Sequence, residues 1–232
     1  MLRPTLAAVA FAVGLLALTA AAPADDKKPT GITVDKEKKT VSIDAKVAPR
    51  KLPNLTEVYP IEVIATFGYR EGKKGKAHET VVTTEVLPSD VHKAIESLGL
   101  KPGKPAKGEG MKAEGPELNV YIEVPQPGGT PKRLTLDKFL LDPKTKKPLP
   151  KGVKVKFTGS GMTQLDPNKP ETVYGADVTG TLIAIFPVTD ETVMQTSLTM
   201  AEEKYLKLDV NADVLPKVGD AVKLVLEVPA GK

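Results

Sequence analysis

Apolar residues in this chain recur at every second position in short runs that are repeatedly cut by proline and glycine. "GITVDKEKKTVSIDAKV" places Ile32 and Val34 before a charged turn and Val41, Ile43 and Val47 after it. A period of two puts one set of side chains on one face of a strand, so this stretch predicts an opening β-hairpin. "IEVIATFGY", "HETVVTTEVL", "ELNVYIEV", "GVKVKFTGSG", "TLIAIF" and "AVKLVLEV" are further strands by the same pattern or by their β-branched content. The polar stretch "REGKKGK" between the first two of these suits a hairpin turn, which predicts that they pair antiparallel.

Helical periodicity occurs in one place. Val91, Ala94, Ile95 and Leu98 fall at i, i+3, i+4 and i+7, with Pro88 and Ser89 before them and Gly99 after. Ser89 is positioned to cap this helix and Gly99 to end it. A helical turn is also expected near Leu136 to Leu141. The fold class is therefore α+β, dominated by mostly antiparallel sheets with one or two short helices packed on them. The stretch "KPGKPAKGEGMKAEGP", residues 101–116, has no periodicity and reads as a flexible, exposed connector.

The N-terminus argues for export. Arg3 precedes an apolar run from Leu6 to Leu18, too short to span a bilayer, and Ala22-Pro23-Ala24 supplies small residues where a signal peptidase cuts. Residues 1–24 are expected to be a signal peptide and the product to be secreted or periplasmic, with no stable membrane anchor after cleavage. Residues 25–54 form the hairpin region and 55–229 the main domain. The chain has no cysteine, so an exported fold must rest on burial and hydrogen bonding, and cysteine-ligated iron–sulfur clusters are excluded. A formal net charge of +4 is spread among 33 basic and 29 acidic residues, and tryptophan is absent. That pattern disfavours nucleic acid, which calls for concentrated positive charge and aromatic stacking.

"KAHETVVTTEVLPSDVHKAIESLGLKPG" carries His-Glu, Pro-Ser, Val-His and Gly-Leu-Lys-Pro-Gly, and "LLDPKTKKPLP", "VKFTGSG", "VTGTLIAIF" and "LPKVGDAVKLVLEVP" follow in order. The chain resembles the YdjY-domain family of exported bacterial proteins over roughly residues 55–229. Val155 and Lys156 stand where the family pattern has aromatics, and Ile185 where it has Asn. The resemblance implies export and architecture; the family brings no assigned reaction.

Candidate chemistry is sparse. His78 and His92 are the two histidines, and together with a carboxylate they are the ligand types a zinc site would use. Glu79, consecutive with His78 in an expected strand, would leave the opposite face. No His-Glu-x-x-His helix is present. Ser160 in "FTGSG" is not a nucleophile elbow, because Thr158 and Met162 occupy the required glycine positions. Thr158-Gly159-Ser160 reads as a tight turn needing positive φ. The expected binding or structural residues are His78, Glu79, Pro88, Ser89, His92, Thr158, Gly159 and Ser160. No catalytic residue is assigned. Three readings follow: a non-enzymatic binding or accessory protein of the envelope whose partner is an envelope protein or a small ligand, a metal-dependent activity at His78 and His92 with zinc as the candidate cofactor, or a structural or interaction module using a strand edge.

Overall fold

The computed structural model describes residues 30–53, 55–68 and 76–230. The expected signal peptide lies outside these residues, as does most of the Gly/Lys turn. Six strands occupy the first half of the chain: β1 (Ile32–Asp35), β2 (Thr40–Val47), β3 (Val63–Phe67), β4 (Thr80–Thr84), β5 (Glu117–Val124) and β6 (Lys132–Thr135). Eight follow: β7 (Leu140–Leu141), β8 (Val155–Phe157), β9 (Met162–Gln164), β10 (Thr172–Tyr174), β11 (Thr181–Ala184), β12 (Met194–Thr196), β13 (Asp209–Val210) and β14 (Ala221–Glu227). The helices are short: α1 (Pro88–Glu96), α2 (Leu136–Phe139), α3 (Gly175–Thr179) and α4 (Met200–Glu203).

The main sheet runs β2-β14-β5-β8-β12-β11-β3-β4, and β4 pairs back onto β2, so it closes into a barrel. β1 and β6 are added on the flanks of β2 and β5. Closure removes the open edges that a twisted sheet of this size would otherwise present. Most neighbours are antiparallel, as the sequence predicts. β3 and β4 are not: they run parallel, with Val63 opposite Thr80 and Phe67 opposite Thr84. The expected hairpin is absent because β4 is claimed on its other side by β2, antiparallel from Ala45↔Thr84 to Val47↔Val82. The intervening segment, residues 68–79, is long enough for the crossover that a parallel pair needs.

The opening hairpin is part of this barrel, since β2 lies between β14 and β4. Val41 and Ile43 of β2, Leu224 and Leu226 of β14 and Ile122 of β5 all point into one core. Alternation is clean there, Asp44 and Lys46 being exposed between buried Ile43, Ala45 and Val47. β4 and β11 are buried along both faces, which explains their near-continuous apolar or threonine composition. Among the described residues no helix is long and apolar enough to cross a membrane.

α1 packs against β2, β11 and α3. Its Val91 and Ile95 are fully buried and Ala94 nearly so. Burying Val91 and Ile95 contributes on the order of 2 kcal/mol each. The connector at 101–116 is exposed over most of its length, as its composition predicts, but is tied down at particular points. Ala106 and Ala113 are buried, and Lys104 and Glu114 form a two-way backbone bridge. Gly103 N–H donates to Phe157 O at 3.0 Å, and the amide of buried Gln195 bonds both backbone groups of Ala106. A polar side chain distant in sequence satisfies a loop that contains little apolar surface of its own.

Candidate functional site

Proline drives the residue before it out of helical conformation and fits the first helical position, where its missing N–H is not needed. Leu87 accordingly has extended backbone and Pro88 begins α1. Ser89 thus falls inside the first turn and is not the cap the sequence suggests. Its N–H donates to Asp177 Oδ1 of α3 at 2.8 Å. A carboxylate 88 positions away in the chain therefore does the capping, satisfying one orphan N–H at the positive end of the helix.

The turn after β8 meets α1 here. Thr158 Oγ1 and the Gly159 N–H both donate to Val193 O. Gly159 has φ of +68°, as expected, and a Cβ there would stand 2.9 Å from Pro102 Cβ and 3.5 Å from His92 Cε1. Ser160 Oγ donates to Gly161 O and accepts from the Ala176 N–H, each at 2.9 Å. Its hydroxyl is occupied in both directions.

His92 lies edge-on to Phe157 and Tyr174, with ring centroids 4.9 and 5.4 Å away. Its Nδ1 is 2.7 Å from the Tyr174 hydroxyl, and its Nε2 is 3.4 Å from Glu96 Oε1 one helical turn on. Tyr174 and His92 thus share one hydrogen bond where α1 meets the end of β10. Burial pushes the Tyr174 phenol well above its ordinary range, against the lowering influence of the Ser160 amide. The structure thus gathers Pro88, Ser89, His92, Thr158, Gly159 and Ser160 where α1, the turn after β8 and α3 meet, each held by its own local bonds or packing.

His78 and Glu79 lie elsewhere. They occupy a 3-10 turn, Ala77–Glu79, and not the strand the sequence predicts, because Thr80 Oγ1 bonds back to Lys76 O at 2.6 Å. The turn places His78 Nε2 3.5 Å from Glu79 Oε1, so the two side chains do not leave opposite faces. The His78 ring meets Tyr59 edge-on, its backbone oxygen accepts from Arg50, and its buried Nδ1 has no partner among the described residues. Arg50 also holds Tyr59 O and Asp209. Nearby, burial first and the Glu79 charge second raise the Glu62 carboxyl above its usual range. His78 precedes β4 and His92 follows it, and four steps along that strand alone span about 13 Å. The two histidines have separate neighbours and are not brought together as a ligand pair, whose bonds to one zinc would each be about 2 Å.

The sequence pattern of the YdjY domain matches residues 32–227. The chain belongs to the YdjY-domain family. The matched YdjY segment begins at the first residue of β1 and ends at the last of β14, so it coincides with the strands of the barrel. No curated protein and no solved structure matches the chain. Within the YdjY domain, sequence reasoning misses Tyr174 and Asp177. Neither sits in a motif with the histidines; the scarcity of aromatics, with five tyrosines and no tryptophan, is the signal that could have marked Tyr174.

Proposed function

We propose that this YdjY-domain protein is an exported, non-catalytic binding or accessory protein of the bacterial cell envelope. The observation that carries the non-catalytic part is the state of the Ser160–Tyr174–His92 cluster. A nucleophile or general base needs a free lone pair facing substrate. Here Ser160 Oγ has its donor and acceptor functions committed to backbone groups, and His92 Nδ1 is committed to Tyr174. These bonds tie α1 to the end of β10 and the turn after β8 to α3, a role in building the fold. Export is supported by the N-terminal apolar run and its Ala-Pro-Ala end.

Fractionation of a bacterium expressing the full chain tests export. The expected product lies in the periplasm or medium and begins near Asp25; a cytoplasmic product retaining Met1 overturns the reading. In the same strain, Ser160→Ala and His92→Gln are expected to lower thermal stability and to leave the partner or ligand of the wild type still bound.

A further inference from the structure

We propose that residues 104–114 are a strap that fills, from within the chain, a site for the main chain of a short peptide segment, and that lifts from it as a unit. The inference rests on the binding reading above and names the class of partner. The two ends of the strap adjoin: a Cβ placed on Gly103 would stand 2.5 Å from Gly115 Cα, and beside it Lys104 and Glu114 exchange two backbone bonds of 3.0 Å. A surface loop of roughly 6–16 residues closed at its base is an Ω-loop, a compact unit whose detachment need not disturb the elements it connects. Little apolar surface holds it down. Ala106 and Ala113 are buried, but Met111, the one large apolar side chain it carries, is 51% exposed. Segments with so few buried apolar contacts are those that open locally at low cost.

What the body of the protein offers the strap is addressed to main chain. Along residues 103–108, Phe157 O accepts from the Gly103 N–H at 3.0 Å, and Pro187 O accepts from the Gly108 N–H at 2.8 Å. Between them the Gln195 carboxamide takes both the N–H and the C=O of Ala106, at 2.7 and 2.9 Å. None of these bonds reads a side chain, so another segment with a small residue at the place of Ala106 satisfies them too. Gln195 is 1% exposed and its Nε2 also donates to Thr189 O at 2.8 Å, which fixes the carboxamide independently of the strap. Left uncovered, its oxygen would lack a partner, so the site favours being filled by one chain or another. Two ion pairs latch the outer side of the strap, Lys107 to Asp190 at 2.9 Å and Glu109 to Lys204 at 2.6 Å. Pairs this exposed are weak and screened by salt, and a competing peptide displaces the strap against them.

Hydrogen exchange on the chain starting at Asp25 tests the lifting, and a synthetic peptide tests the site. Exchange at the Ala106 amide is expected to respond little to low concentrations of urea, while amides of β2 and β14 respond steeply. The double variant Lys107→Ala, Lys204→Ala removes the latch and should speed exchange at Ala106 about ten-fold, leaving β2 and β14 unchanged. The probe is acetylated and amidated Gly-Lys-Pro-Ala-Lys-Gly, a copy of residues 103–108. One peptide per chain is expected to bind, tighter in the double variant by the same factor as exchange is faster, because both report the fraction of chains with the strap lifted. Methylating the alanine nitrogen of the peptide, or Gln195→Ala in a chain that still unfolds cooperatively, should abolish binding. The proposal is overturned by exchange at Ala106 that tracks global unfolding, by unchanged exchange in the double variant, by no binding there at millimolar peptide, or by binding that survives methylation. A cytoplasmic location would overturn export and leave these measurements unaffected.

Discussion

Tyr174 carries more of the α1–α3 junction than its place in the sequence suggests. It lies at the end of β10, is hydrogen-bonded to His92 of α1 and packs edge-on against the same ring. Removing either hydroxyl or ring leaves a partly buried group unpaired, so His92→Ala and Tyr174→Phe are each expected to lower stability by roughly 1–3 kcal/mol. Because they share one bond, the double variant should lose less than the sum of the singles, as read by urea unfolding. Simple additivity would mean that the two side chains act separately. Glu62 offers a pH test. Its carboxyl is raised in the folded state by burial and by Glu79, so between its unfolded and folded values the folded chain binds more protons. Stability from this group therefore falls as pH rises through that window and stays low above it. Glu62→Gln should be more stable than wild type at neutral pH, the difference shrinking as the solution is acidified toward the ordinary carboxylate range. A difference independent of pH would show that ionisation of Glu62 is not its source.

Among the elements, α1 was legible and its anchoring was not. Periodicity marks Val91, Ala94 and Ile95 as its buried face, and the structure buries them. The capping group, Asp177, comes from a part of the chain with no local sign of the connection. The connector at 101–116 shows the same limit from the other side. Its composition predicts exposure, yet Gln195 supplies an amide that pairs with both the N–H and the C=O of Ala106. Native trypsin is accordingly expected to cut slowly at Lys104 and Lys107 in the wild type, because the backbone must detach before it fits a protease. Gln195→Ala leaves those two buried backbone groups unpaired and should open the same lysines to rapid cleavage. Equal cleavage rates in both forms would place the restraint elsewhere.

At the scale of the molecule, the decisive contact is β2 with β4. It closes the barrel, and it joins a hairpin near the N-terminus to the strand before α1, while β14 from the far end of the chain occupies the other side of β2. The barrel therefore cannot be completed without the first hairpin. A chain starting at residue 55 is expected to lack a cooperative urea transition, whereas the chain from Asp25 should unfold in one step that coincides by far-UV dichroism and tyrosine fluorescence. A cooperative transition in the shorter chain would show that the hairpin is dispensable. With so many pairings between distant segments, folding on the slower, millisecond-to-second scale of β-barrels is the natural consequence.

Alternation at period two, one patch of period 3.6, and the placement of Pro and Gly are local properties, and they were sufficient to predict a β-dominated α+β fold, the position of α1 and the positive-φ turn at Gly159. Family membership was also readable, because it rests on residue order along the chain. Strand partnership was not. Whether β4 pairs parallel or antiparallel with β3 depends on which other strand claims its free edge, and β2 is more than thirty residues away in sequence. The same reason separates the two histidines. Their closeness in sequence suggested a pair, but a five-residue strand lies between them, so His78 falls at one end of β4 while α1 carries His92 to the other, against Tyr174 and Phe157. Only the closed sheet decides which side chains share a neighbourhood, because backbone pairing across the barrel, and not spacing along the chain, sets their distance.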